Sequence, residues 1–131
     1  MKTRWMAVMS LALQLCCWSP AFAQLSGDTQ TEIDYLLDFI EISGCEFYRN
    51  RSWFDSPHAQ EHLRTKFDYL SARNRIKTTE DFIEMAASKS SLSGRPYENR
   101  CGDCTTTRTS DWLKAVLARY RVVTARNTQL Q

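Results

Sequence analysis

The chain has 131 residues and a formal net charge of +2. That length allows a single domain with a real core, and the near balance of charge excludes a nucleic-acid binder that relies on a surplus of basic groups on one face. There is no internal repeat, no low-complexity tract and no second zone of composition, so one domain is expected.

At the N-terminus Lys2 and Arg4 precede an apolar run from Trp5 to Trp18, which is followed by "SPAFAQ". This is the layout of a secretory signal peptide with an A-x-A site cleaved after Ala23. The run is too short to span a membrane, which takes about 20 residues. Leu15 before Cys16 is not the small residue that a lipobox requires. The expected map is therefore a signal peptide over 1–23, a single globular domain over 24–124 and a disordered tail over 125–131. Cleavage takes two of the 17 Lys and Arg residues and leaves 15 against 15 acidic groups, a mature net charge of zero. It also removes Cys16 and Cys17. Cys45, Cys101 and Cys104 remain, an odd number in an oxidising compartment where pairing is expected.

In "TQTEIDYLLDFIEISG", Ile33, Leu36, Leu37 and Ile40 recur at helical spacing, with Thr29 and Glu32 placed as a capping box and Gly44 as a stop. A first helix is expected over about 30–43. "CEFYRNRSWFD" predicts two short strands, 45–48 and 53–54, joined by a turn that lacks the favoured Asn-Gly pair; its Asn50-Arg51-Ser52 sequon reads as turn chemistry. In "DSPHAQEHLRTKFDYLSARN", Asp55 or Ser56 caps, Pro57 sits in the first turn, and Ala59, Leu63, Phe67 and Leu70 form one stripe, a helix over about 57–73. Thr78 or Thr79 caps a third helix, about 79–89, with Phe82, Ile83 and Ala86 inward. "RPYENRC" reads as a third extended piece and "TTTRTS" as a loop. Ser110 caps a fourth helix built on Trp112, Val116, Leu117 and Tyr120. The fold class is α+β, mainly helical: about four helices packed with a small antiparallel hairpin or three-stranded sheet. Leu37, Phe67, Phe82, Trp112 and Leu117 are expected to share the core.

In order along the chain, "EIDYLLDFIEISGCEFYRN", "HLRTKFDYL", "TTEDFIEMAASKSSLSGRPY", Cys101 and "DWLKAVLARYR" make the sequence resemble the YfeK family of small exported bacterial proteins, a domain of unknown function. The resemblance spans about 33–121. It departs from the family at Arg51-Ser52, where the family tends to have Asn-Gly, and in the additional Cys104. It implies a periplasmic protein with no established activity and a single disulfide between Cys45 and Cys101. Spacing alone leaves Cys104 open as the partner of Cys45.

Other constellations carry less. "HAQEH" matches H-x-x-E-H, with His58 and His62 one turn apart and Glu61 between them, the pattern of a zinc site with a general base. Five residues with three fixed positions occur readily by chance, and a third ligand is not evident. Cys101-Gly-Asp-Cys104 has redox spacing but lacks the βαβ setting. Ser88, Ser90, Ser91 and Ser93 match neither G-x-S-x-G nor S-x-x-K, so they read as backbone hydrogen-bond partners. Asp34 and Asp38 read as surface carboxylates.

Ser93-Gly94-Arg95-Pro96-Tyr97 presents an arginine and a tyrosine on a turn, and its S-G-x-x-Y string is similar to a loop of periplasmic lysozyme inhibitors, which are β-barrels. A Cys45–Cys101 bridge brings that loop beside the hairpin. Arg49, Arg51, Arg95 and Tyr97 then form one candidate binding patch, suited to an envelope protein with an acidic surface or an anionic polymer. The expectation is a non-enzymatic periplasmic binding or envelope-associated module, with no cofactor, no metal, no nucleic-acid partner and no membrane span after signal cleavage. The alternatives are an inhibitor of a cell-wall hydrolase such as lysozyme, or a small enzyme resting on His62, Glu61 and Arg64, with metal-assisted hydrolysis through His58, Glu61 and His62 as its most specific form.

Overall fold

The structure, a computed structural model, describes residues 25–103 and 105–131. Residues 1–24, which include the expected signal segment, and Cys104 lie outside the described residues. Eight elements follow in order: α1 (Gly27–Ile42), β1 (Glu46–Arg49), β2 (Ser52–Phe54), α2 (Ser56–Ala72), α3 (Thr79–Ala86), β3 (Glu98–Arg100), β4 (Thr106–Arg108) and α4 (Thr109–Gln129). The four strands form one antiparallel sheet in the order β2-β1-β3-β4. The expected α+β class, four helices and the three extended pieces are all present, and the sheet gains a fourth strand.

That strand lies in "TTTRTS", expected to be a loop. Thr106 and Thr107 pair with Arg100 and Asn99, and β-branched threonines suit an edge strand whose residues are all exposed. Helix ends also differ. Ser26, not Thr29, caps α1, its side chain accepting from the Thr29 amide at 3.2 Å. α4 begins at Thr109 without a side-chain cap. It continues to Gln129 instead of giving way to a disordered tail at 125, because "VVTARNTQ" contains no Gly or Pro to stop it. α3 ends at Ala86, and "SKSSLSG" turns back through a Lys89–Pro96 bridge.

The core joins Ile33, Leu36, Leu37 and Ile40 of α1 to Leu63 and Phe67 of α2, Phe82 and Ile83 of α3, and Leu113, Val116 and Leu117 of α4. Trp112, expected in the interior, packs against its edge only in part, next to Phe39 and Phe47. Leu113 takes the interior place, because 113, 116 and 117 share a face that 112 only borders. On the opposite flank Arg121 forms a two-pronged pair with Glu32, at 2.7 and 2.8 Å, and reaches Glu80 at 2.6 Å, tying α4 to α1 and α3. The guanidinium holds both carboxyls below their ordinary range.

Cys45 and Cys101 form a disulfide with a Cα–Cα distance of 4.3 Å. Glu46 pairs with Arg100 in the β1–β3 ladder, so the two cysteines are the next opposed pair along the same register. The bridge therefore continues the ladder by one rung. At the other end of β1, Asn50 (φ 50°) and Arg51 (φ 68°) are both left-handed. Two positive φ values make the turn that matches strand twist, the one for which Asn-Gly is favoured. Arg51 bears the steric cost that glycine avoids. Arg51→Gly is expected to raise stability by about 0.5–1 kcal/mol, read from the urea midpoint; an unchanged or lowered midpoint would show that the turn differs in solution.

Candidate functional site

The period-two alternation of β1 sends Cys45 and Phe47 inward, and Arg49, on the same face, follows them toward α2. Tyr48 takes the other face, its ring 5.1 Å from Trp53, where the Arg100 guanidinium lies 4.0 Å above the indole. Arg49 is thus set against α2, with its guanidinium 4.9 Å from the Phe54 ring. Its Nη1 is 2.7 Å from His62 Nδ1 and 3.1 Å from Nε2.

An arginine only donates, so the nearer nitrogen, Nδ1, accepts and the ring is neutral. Nε2 then carries the hydrogen and donates to Tyr97 Oη at 3.1 Å. Lys66, one turn beyond His62 on the same helix face, donates to the Lys89 carbonyl at 3.0 Å and lies 3.4 Å from Tyr97 Oη. Burial first, then the Arg49 and Lys66 charges, push the His62 pKa from its ordinary 6.5 down to about 4. Burial, seconded by Arg49, lowers Lys66 to about 8. Burial raises Tyr97. Among the described residues neither Arg49 nor Lys66 has a carboxylate within ion-pair distance.

The ring of His62 is therefore expected to titrate near pH 4 by NMR. Removing one of its two cationic neighbours in Arg49→Gln moves the midpoint upward, though burial and Lys66 keep it below 6.5. Because the folded pKa lies below the unfolded one, the folded state binds fewer protons between about 4 and 6.5. This contribution to stability is whole above pH 6.5 and is lost as pH falls toward 4. A His62 midpoint at 6.5 in the folded protein would contradict the packing described.

Between β1, the start of α2 and Thr109 lies a cavity of about 20 Å³, lined by Phe47, Tyr48, Arg49, Phe54, His58, Ala59, His62, Leu63, Tyr97 and Thr109. His62 also borders an outer groove with Thr65, Lys66, Tyr69, Leu70 and Ser91. Thr109 is 1% exposed, and its amide donates to the Tyr97 carbonyl at 3.0 Å. Its hydroxyl is the one buried side-chain polar atom among the described residues that lacks a hydrogen-bond partner.

The expected patch is brought together in part. Arg49 and Tyr97 meet across His62, whereas Arg51 stands exposed at the hairpin tip and Arg95 is exposed in the loop. Tyr97 is not exposed beside Arg95 as expected; it is 6% exposed. The alternation that leads into β3 turns Tyr97 and Asn99 inward, and Glu98 and Arg100 outward. The serines make turn hydrogen bonds: Ser90 Oγ accepts from the Leu92 and Ser93 amides, Ser93 Oγ accepts from the Arg95 amide, and Ser88 donates to the Glu84 carbonyl.

The H-x-x-E-H residues diverge. His58 is held by Asp55 at 2.6 Å, Glu61 is exposed, and the Arg49 cation faces the nitrogens of His62 where a metal would bind. Arg64 is engaged by Asp34 at 2.8 Å. Among the described residues no group of three or more His, Cys, Asp or Glu side chains is placed to hold a metal. Lys66 and Thr109 were not legible as site residues. The i,i+4 spacing of His62 and Lys66 is the one sequence signal for the first; for the second there is none.

The fold and site define a small disulfide-stapled α+β module with a largely apolar pocket between its sheet and second helix, bordered by Arg49 and the neutral His62. The chain belongs to a family of unknown function, DUF5329, whose family model matches residues 27–121. It is 36% identical over 92 residues to the uncharacterized protein YfeK of Salmonella typhimurium, covering 70% of this chain and 72% of that protein. No solved structure matches it. The resemblance to YfeK drawn from the local strings therefore holds.

Proposed function

We propose that the protein is an exported, non-enzymatic periplasmic module, released by cleavage after Ala23, that binds an acidic envelope protein or anionic polymer through its hairpin and the Ser90 to Tyr97 loop. One observation carries it: Arg49 and Lys66 converge on His62 and Tyr97 with no carboxylate beside them among the described residues. Two uncompensated cations in a half-buried site are costly unless something anionic meets them. Arg51, held at φ 68° on the hairpin tip where glycine would be unstrained, supports the same surface. The Cys45–Cys101 disulfide and the absence, among the described residues, of a helix long and apolar enough to cross a membrane are compatible with export.

Retention on immobilised poly-glutamate and on poly-lysine tests the binding. Wild type is expected to be held by the acidic polymer alone. The combined Arg49→Gln, Arg51→Gln, Arg95→Gln variant is expected to lose retention while melting normally. Equal retention of that variant would remove the surface from consideration. Osmotic-shock release of a shortened chain tests the location; a full-length chain confined to the spheroplast fraction would contradict it.

A further inference from the structure

We propose that the cavity between Arg49, His62 and Thr109 is a carboxylate-binding site, which receives an acidic side chain of the partner and draws a proton onto His62 as it does so. It rests on the reading of the hairpin and loop as an acid-binding surface and specifies the chemistry of its anchor.

Three independent features meet there. The first is charge: Arg49 uses one Nη on His62, and a guanidinium has five N–H donors. The second is the orphan, fully buried hydroxyl of Thr109, a residue that lines the cavity. Buried hydroxyls are nearly always paired, and an unpaired one beside a cavity points to a polar group that enters it. The third is size. About 20 Å³ admits roughly one water-sized group. The flat tip of a carboxylate presents one oxygen to such a space. Its apolar walls, Phe47, Phe54, Ala59 and Leu63, make a doubly charged sulfate or phosphate costlier to desolvate there than a singly charged carboxylate.

The titratable and charged groups around His62 are Arg49 and Tyr48 from β1, His58 and Lys66 from its own helix, and Tyr97 from the segment before β3; Asp55 is engaged by His58. The two formal charges acting on the ring are both positive. A bound carboxylate reverses that field: the Arg49 guanidinium turns from His62 Nδ1 to the ligand, and the freed Nδ1 takes up a proton and becomes a second charged donor.

Sodium propanoate serves as the probe, with sodium sulfate and sodium chloride at equal ionic strength as controls, followed through the Thr109 amide and the His62 ring by NMR. Propanoate is expected to saturate both signals and to raise the His62 midpoint to about 6.5. Its dissociation constant is then about tenfold smaller near pH 5.5 than near pH 7.5, by linkage. Thr109→Val, which removes the orphan hydroxyl and keeps the shape, is expected to melt like wild type and bind about tenfold more weakly. Sulfate binding equal to propanoate, a His62 midpoint that stays near 4 at saturation, or unchanged affinity in Thr109→Val each overturns the site; a bound water only would then occupy the cavity. If poly-glutamate is still retained in an arginine-dependent way, the acid-binding surface stands without this anchor. If propanoate binds as expected but poly-glutamate is not retained, the site stands and the surface reading fails.

Discussion

Replacing Cys45 and Cys101 together by alanine is expected to lower the stability of the folded chain by about 4 kcal/mol. The bridge spans a sequence separation of 56 residues, and closing so long a loop in the unfolded chain is what the cross-link makes unnecessary. β1 and β3 meet over three residue pairs only, too few to hold two distant segments together without help. Against a total stability of about 5–15 kcal/mol for a domain, the loss is large enough to leave a chain that folds at room temperature with a much lower melting point. Urea unfolding of the double variant, compared with reduced and alkylated wild type, provides the measurement, and the two are expected to coincide. A loss below about 1 kcal/mol would show that the ladder holds itself. Because the bridge also fixes the hairpin against the segment bearing Tyr97, the variant is expected to loosen the His62 cluster first, seen as a rise of the ring's titration midpoint.

Leu113→Ala is expected to cost about 2–5 kcal/mol, more than Trp112→Ala, although tryptophan is the larger residue. Leu113 is 0% exposed and belongs to the central cluster. Its removal leaves a cavity where α4 meets the rest of the core. Trp112 borders that cluster with its ring centroid 5.5 Å from Phe39 and 5.8 Å from Phe47, so its truncation opens a site that water can reach. The expected cost is about 1–2 kcal/mol, in line with two aromatic contacts at a partly exposed edge. Thermal melts of the two variants decide the order. A larger loss at Trp112 would mean that α4 is rotated by about one residue relative to the packing described, since adjacent helical positions differ by about 100°.

The apolar stripes of α1, α2 and α3 were legible because helical periodicity alone picks out Ile33 to Ile40, Leu63 to Phe67 and Phe82 to Ala86. In α4 the same rule misled by one position. Trp112 is the more conspicuous hydrophobe, but in "DWLKAVL" the face shared with Val116 and Leu117 is that of Leu113. β4 was missed because "TTTRTS" carries no hydrophobic alternation; its pairing with β3 comes from neighbours already in place, not from its own pattern. The α1 cap moved to Ser26 for a simpler reason, that two acceptable caps three residues apart differ by less than the packing of one extra turn.

For the site, Arg49 and Tyr97 were picked out as chemistry-bearing types but placed on the wrong side. Both were expected in solvent, and the alternation of β1 and of the approach to β3 turns them inward. In the sequence His62 reads as one member of a metal motif. Its actual neighbours are 13 residues earlier and 35 residues later in the chain, a separation no local pattern reports. The helical stripes, the turn-forming role of the serines and the membership of a family that shares these strings are legible without coordinates, because each is written in short-range spacing or residue identity. The Cys45–Cys101 bridge that the family resemblance implies is present, whereas the closing of an arginine and a lysine over a neutral histidine and the unpartnered Thr109 hydroxyl came from tertiary packing alone. Those depend on sheet register and on the packing of β1 against α2, interactions between segments far apart in the chain, whose outcome is set by the whole core and not by any stretch of it.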